Sequence, residues 1–570
     1  MKTFLKMLLA SILGFGLILT VLIFIVLSAL KQPVEVIGKN SILKISLARE
    51  LDDRAGLPKI SLTGMKIESK SGLNNLLFAL EQAKYDERIR GIYLELSQIS
   101  AGIASVEEIR EALVSFKRES GKYVLAYAET YSQKAYYLAT VADRIYLNPF
   151  GSIQIKGLSV EMMLYKKLLD KLGVDVQIIR HGKFKSAVEP FMLDRISDEN
   201  REQIMGYVGS IWLHVLQTIS QAREIDIDEL NKIADNLELA FAGDALEKKL
   251  VDKLMYEDEV LSELQKYALT TPNIIDIETY YTPSDRTSDS HIAVVYASGD
   301  IMTGDGDSDI MTANIMRTLA KVRSDSSVKA VVFRVNSPGG SADASEFIAR
   351  ELELTRQKKP VVVSMGNVAA SGGYWISLPA NAIFANRTTL TGSIGVFGMI
   401  PNFGKVAEEK LGITFDAIIT NKHADFPSVV RPLTAVEQDY LQKSVDNIYF
   451  KFAQKVAGFR KMSELRVDSI AQGRVWSGVD ALNIGLIDYF GGLTTAIEEA
   501  ARLAQIDDYT LLELPREPDP IDLLLKSFEA KISTTRTSEL AGFVKQYEQI
   551  VNRLKNYGIL AKLPYELIER

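Results

Sequence analysis

The sequence predicts an α/β fold laid down twice, preceded by a membrane-spanning helix and followed by a helical tail. Three observations predict it: β-branched runs alternating with helix-length segments, a repeat of that alternation at one nearly fixed offset, and a charge-free apolar stretch near the N-terminus.

The first element is residues 1–31. Met7 to Leu30 carries no charge, and as a helix rising about 1.5 Å per residue it would extend roughly 36 Å, enough to cross a bilayer. A cleaved secretory signal would have a shorter apolar region, about 7 to 15 residues, followed by small residues at the cleavage site. Leu27 spoils the nearest such site, which would end at Ala29, so the segment reads as an uncleaved anchor. Lys2 and Lys6 precede it while Lys31 follows, which places the N-terminus in the cytoplasm and the body outside.

The next two elements, residues 32–275 and 276–515, are read as copies of one domain. Asn75, Leu80 and Asp86 match Asn314, Leu319 and Asp325, and RGIYLEL matches KAVVFRV with Gly91 against Ala330, an offset of 239. The offset then barely drifts: Tyr136 answers Tyr374, Gly151-Ser152-Ile153 answers Gly392-Ser393-Ile394, and Asp244-Ala245-Leu246 answers Asp480-Ala481-Leu482. A single large doubly wound sheet has no reason to repeat at a fixed offset. Within each copy, runs such as KYVLAYAE and KPVVVSMG alternate with segments such as IASVEEIREALVSFKRE and ADASEFIARELELTRQ, the pattern of parallel strands joined by crossover helices. Residues 256–290, rich in Thr, Pro and Asp toward their end, read as the link between copies. Residues 516–570 show helical periodicity without a counterpart in the first half and read as an arm for packing or assembly.

Composition excludes several functions. A formal net charge of −7 provides no basic field for nucleic acid. With no cysteine, thiolate nucleophiles, disulfides and Cys-based zinc sites are ruled out. DGDSD at 305–309 is reminiscent of a calcium loop, but Ile310 takes the glycine position and Met316 that of the bidentate glutamate. No HExxH or comparable spacing occurs, so neither a catalytic metal nor another cofactor is expected.

Two segments could carry chemistry. Asn336-Ser337-Pro338-Gly339-Gly340-Ser341 follows a buried-type strand and opens a helix, where a glycine pair can aim backbone N–H groups at an oxyanion; an ordinary tight turn would use the same residues. Ala369-Ala370-Ser371-Gly372-Gly373-Tyr374 flanks a serine with small residues, which lets a substrate backbone approach its hydroxyl, although small residues around a serine also serve packing. The duplication separates these readings. In the first copy Gln133 stands where Ser371 stands, Lys134 replaces Gly372, and Ser97-Gln98-Ile99-Ser100 replaces the glycine loop. Residues needed only by the scaffold would be needed in both copies, so their one-sided occurrence points to function.

A serine nucleophile needs a base. His214 lies in a helical run and reads as a packed or surface residue, while His291 and His423 stay open as candidates, and His181 begins the segment HGKFKSAVEPF. That segment offers Lys183 and Lys185. A lysine acts as base only when uncharged, which means lowering its usual pKa of about 10.4 to near 7, at a cost of roughly 4 kcal/mol, by an apolar neighbourhood or nearby cations. The residues alone do not choose between Lys183 and Lys185.

Four motifs, NSPGGS at 336–341, ASGGYWIS at 370–377, TGSIGVFG at 391–398 and KSAVEPF at 185–191, occur in order with the duplication and the apolar N-terminal stretch. Together they resemble the long, duplicated form of the bacterial signal peptide peptidase A family (protease IV, peptidase family S49), across nearly the whole chain. The resemblance implies tandem domains of the ClpP/crotonase type. It implies Ser371 as nucleophile and Lys185 as general base from opposite copies, Ser393 orienting the lysine, and an oxyanion hole from the Gly339 and Gly340 backbone with the Ser371 N–H. It also implies a homotetramer held at the bacterial inner membrane through the N-terminal helix, with its body on the periplasmic side, hydrolysing released signal peptides. Two other readings share parts of this pattern: a crotonase-like acyl-thioester enzyme, which leaves the serine and lysine motifs unexplained, and a membrane scaffold without catalysis.

Overall fold

The computed structural model describes residues 37–515, apart from 57–58, 62–65, 69–70, 269–271, 282–287 and 306–309, together with Lys6, Met7, Ser11, Gly14, Gly16 and 560–562. The expected span at 7–30 lies almost wholly outside the described residues; among those described, no helix is long and apolar enough to cross a membrane.

Each copy builds a parallel sheet with helices packed against it. In the first, the central strands Ser41–Ile45, Ile89–Glu95, Tyr123–Ala128 and Arg144–Leu147 lie side by side, flanked by Asn273–Asp276 and Lys253–Leu254. Near-continuous apolar strands such as Ile89–Glu95 are buried on both faces, as a parallel sheet covered by helices requires. The second copy repeats the order with His291–Ser298, Val328–Ser337, Val361–Ala370 and Ala382–Ala385, flanked by Thr510–Leu514 and Tyr489–Phe490.

Buried polar details repeat as well. Tyr136 Oη donates to the Leu250 carbonyl at 2.7 Å and Tyr374 Oη to that of Leu486 at 2.9 Å. Asp252 accepts from the Ile145 N–H, and Asp488 from the Ile383 N–H. Each copy also carries a 26-residue helix, Asp198–Arg223 and Ala435–Arg460. The expected link is shorter than 256–290: the amphipathic helix Glu257–Ala268 buries Val260, Leu264 and Ala268 on the first copy, and Asn273–Asp276 completes its sheet.

The copies are fused through a common interior. Leu493, Ile497 and Ala500 of the second copy share one apolar cluster with Leu76, Leu80 and Val106 of the first. Beside it lies a buried polar seam. Arg334 is completely buried and bonded to Asp53 and Glu108 of the first copy, each at 2.7 Å. Asn367 Oδ1 accepts from the Ala104 and Ser105 N–H groups, satisfying the orphan donors at the start of the helix Ile103–Ser120. A buried charge is tolerated only when paired, so this seam fixes one arrangement of the copies.

A third sheet carries the first copy across to the second. Asp175–His181 pairs antiparallel with Val396–Asn402, from Asp175 opposite Asn402 to His181 opposite Val396. The KSAVEPF segment follows directly, so this register sets where it lands. Leu560–Lys562 joins the same sheet as a strand; the rest of the tail expected to be helical lies outside the described residues.

Candidate active site

Ser371 sits between the strand Val361–Ala370 and the helix Gly372–Ser377. Its φ of 57° and ψ of −114° are unfavourable for a residue with a Cβ, at a cost of about 1–3 kcal/mol. Strain of this kind persists where the surroundings over-determine it, and here the sharp turn aims the hydroxyl at the other copy. The side chain is fully buried.

Lys185 arrives from the first copy. Its Nζ donates to Ser371 Oγ at 2.7 Å, to Ser393 Oγ at 3.1 Å and to the Ser393 carbonyl at 3.2 Å. It is 1% exposed. Burial, with no carboxylate to offset it, lowers its pKa from 10.5 to about 7. Lys183, left open by the sequence, is exposed with its ammonium over the Phe184 ring. Part of the lysine's cover is backbone: a Cβ on Gly473 would come within 2.6 Å of the Lys185 backbone nitrogen, so only glycine fits there.

None of the four histidines bonds to Ser371. His181 meets Asp446 and stacks on Tyr449, His214 meets Tyr137, His423 pairs with Glu437, and His291 Nδ1 is buried without a partner.

The glycine loop lies beside the Ser371 turn as the strand Gly339–Ser341. Gly340 pairs with Ile301, whose carbonyl oxygen would lie 2.1 Å from any Cβ at 340. The Gly339 N–H donates to Ser337 Oγ at 3.1 Å, a bond a substrate oxygen could replace. The Ser371 N–H donates to the Gly392 carbonyl at 2.8 Å. In this conformation it is therefore committed, and the expectation that it joins an oxyanion hole is not met.

Two supporting networks escaped the sequence reading. Gln203, 1% exposed, donates from Nε2 to the Phe184 carbonyl at 3.0 Å and to Ser186 Oγ at 2.9 Å, on either side of Lys185. Its Oε1 accepts from the Val475 N–H, and Val475 pairs with Gly392, the residue before Ser393. The second network is the Arg334 seam. Asn336 at the start of the glycine loop donates to Asp53 at 2.6 Å. A lone arginine in the apolar run VVFRV is a signal the sequence does carry; Gln203 gives none.

Comparison with known proteins accords with this geometry. The family model described as Peptidase family S49 matches twice, at residues 116–270 and 353–507, and a Clp protease model matches 284–393. Protease 4 of Salmonella typhi is 40% identical over 487 residues, 81% of this chain and 77% of that protein. Protease 4 of Haemophilus influenzae is 38% identical over 461 residues, 78% and 74% of the two chains. The chloroplastic serine protease SPPA of Arabidopsis thaliana is 32% identical over 525 residues, 88% and 75%.

The chain belongs to peptidase family S49. As an S49 serine protease with the family region in duplicate and a ClpP-like α/β fold, it keeps the serine turn in its second copy only. In the first copy Gln133 closes the corresponding place, its Oε1 accepting from the Lys156 and Gly157 N–H groups and its Nε2 donating to the Gly157 carbonyl. That S49 repeat supplies the lysine instead.

Proposed function

We propose that this S49 protein is a membrane-anchored serine endopeptidase using a Ser371–Lys185 dyad built from both copies, acting on released signal peptides and similar hydrophobic peptides. The observation that carries the reading is the 2.7 Å contact between a buried amine, its pKa lowered to about 7, and the hydroxyl of a strained serine. Lys185 Nζ takes the Ser371 proton as Oγ attacks the scissile carbonyl. Ser393, through its hydroxyl and carbonyl, accepts bonds from the ammonium so formed and keeps it aimed. The oxyanion is held by the Gly339–Gly340 backbone, with the Gly339 N–H exchanging Ser337 Oγ for the substrate oxygen. Lys185 passes its proton to the leaving amine, then takes one from the water that attacks the acyl-enzyme and returns it to Ser371 Oγ as the ester C–O bond breaks.

The names of the relatives support the substrate class, one of them being called a signal peptide peptidase. The uncharged stretch Met7–Leu30 supports attachment to a bacterial inner membrane, with the body on the periplasmic side. A homotetramer follows from the resemblance to the duplicated family form. Hydrolysis of a synthetic signal peptide by the purified chain, compared with its Ser371→Ala and Lys185→Ala variants, tests the reading. Activity is expected in the parent alone, and full activity in either variant defeats the dyad.

A further inference from the structure

The turn Ala471–Arg474 is wedged between the segments that carry Lys185 and Ser393. On one side the Phe184 N–H donates to the Gln472 carbonyl at 2.9 Å, and Gly473 lies against the Lys185 backbone. On the other side the Ser393 N–H donates to the Arg474 carbonyl at 2.7 Å and the Gly473 N–H to the Ile394 carbonyl at 2.8 Å. A Cβ on Gly395 would meet Gly473 Cα at 2.7 Å and Lys185 Cδ at 3.2 Å, so the three segments are in close contact.

Two consecutive residues of this turn are left-handed, Gln472 at φ 54° and Gly473 at φ 84°. Glycine adopts that region freely and glutamine does not, so position 472 calls for an anchor. Its side chain supplies one. Gln472 Nε2 donates to Tyr449 Oη at 3.3 Å and to Asp468 Oδ1 at 2.5 Å, and Tyr449 Oη itself donates to Asp468 Oδ1 at 2.5 Å. Tyr449 is 1% exposed, its ring stacked on His181 of the Lys185 segment with centroids 3.9 Å apart. The first copy keeps the contact between the corresponding helices, as a bond from Trp212 Nε1 to Asn231 Oδ1. It lacks the turn: at the offset of Asp244 and Asp480, Asn236-Leu237-Glu238 stand for Gln472-Gly473-Arg474, and Leu237 is exposed. The wedge therefore occurs only in the copy that holds Ser371.

We infer that Gln472 is a positioning residue for the reaction, its side-chain anchor on Tyr449 and Asp468 holding the turn that spaces Lys185 from Ser393. The inference rests on the proposed Ser371–Lys185 dyad and adds to it a residue that touches none of the reacting atoms. With the anchor gone the turn relaxes, and the bonds it makes to Phe184 and Ser393 shift with it. The amine then loses its alignment on Ser371 Oγ, and water reaching it favours the charged form.

The test compares the full chain with four variants. Gln472→Gly removes the anchor while accepting the left-handed φ, and Tyr449→Phe removes the hydroxyl while keeping the ring stack. Gln472→Glu sets a carboxylate against Asp468, and Gln472→Glu combined with Asp468→Asn exchanges amide and carboxylate between the two positions. Hydrolysis of a hydrophobic fluorogenic peptide is followed against pH. In the three single variants kcat is expected to fall about 10- to 100-fold, the scale of a misplacement of about 1 Å, with KM changed by less than about twofold. The exchanged pair should recover most of that loss. In the Ser371→Ala background, where no turnover intervenes, the Lys185 amine is titrated by NMR of isotope-labelled lysine side chains, its signal identified by its absence from Lys185→Met. Its titration should move to higher pH in the single variants and return in the exchanged pair. Parent kcat and an unmoved lysine titration in both Gln472→Gly and Tyr449→Phe would overturn the inference, and so would a loss of kcat that the exchanged pair fails to recover while the titration stays in place. Full turnover in Lys185→Ala sinks the dyad instead, and the titration then shows separately whether Gln472 holds that amine.

Discussion

Lys185 Nζ donates to Ser371 Oγ at 2.7 Å across a sequence separation of 186 residues, from one copy of the repeat into the other. Neither copy contains both groups, so the chemistry depends on how the two halves are held. Losing either group should lower kcat by on the order of 10⁴-fold or more, since members of one catalytic unit fail together. Lys185→Arg should be as inactive as Lys185→Ala, because a guanidinium does not deprotonate in a protein. Steady-state hydrolysis of a hydrophobic peptide checks both.

The burial that lowers the Lys185 pKa predicts a pH dependence for the proposed mechanism. With a pKa of about 7, Lys185 is charged below that pH and uncharged above it. The rate constant kcat/KM should therefore rise about tenfold per unit as pH climbs toward 7, then level off. A pH–rate profile reads this directly; a limb centred near 10 would mean an ordinary exposed lysine.

Stability should carry the opposite mark of the same group. Between pH 7 and 10.5 the unfolded chain holds the Lys185 proton and the folded chain does not, so stability rises with pH across that window. Folding at pH 7 bears this cost, at most about 5 kcal/mol for a pKa lowered from 10.5 to about 7. Lys185→Met should thus stabilise the protein near pH 7 and lose that advantage toward pH 10.5, as denaturant melts at the two pH values would show.

How the halves bring Lys185 to Ser371 was only partly legible in the sequence. Alternating strand and helix patterns and the Gly91–Ala330 offset were enough for two α/β copies, and Gln133 opposite Ser371 was enough to single out the serine. The choice between Lys183 and Lys185 was not legible from the residues, because the burial that lowers one pKa comes from residues far away in sequence, such as Gly395 and Gly473. The link was read too long since its Thr, Pro and Asp content hid the helical spacing of Val260, Leu264 and Ala268. Commitment of the Ser371 N–H to Gly392 is a tertiary hydrogen bond with no sequence signature.

Gln203 grips the residues flanking Lys185, and the proposed mechanism predicts that loosening this grip disturbs catalysis. Gln203→Leu leaves the Val475 N–H and the Phe184 carbonyl without that partner, at a cost of about 1–3 kcal/mol each in stability. Its kcat should fall with little change in KM, and the limb of the pH profile should move, which a purely structural defect would not cause. Removing the Ser393 hydroxyl should act more directly, lowering kcat about 10- to 100-fold through loss of one bond to a charged amine.

Asp53 tests the seam between copies. Asp53→Ala removes a partner from the buried Arg334 and from Asn336 at the head of the glycine loop. The expected loss is about 3–5 kcal/mol in stability, and activity should fall even in the fraction that stays folded. Urea titration with parallel assays at low denaturant separates the two effects.

The most direct measurement is mass-spectrometric mapping of the residue modified by a peptidyl phosphonate, with the rate followed against pH in the parent and in Lys185→Met. The account expects modification at Ser371, faster as pH rises through about 7, and abolished in the variant. Modification of a different serine, or of Ser371 at a rate indifferent to Lys185→Met, would contradict it.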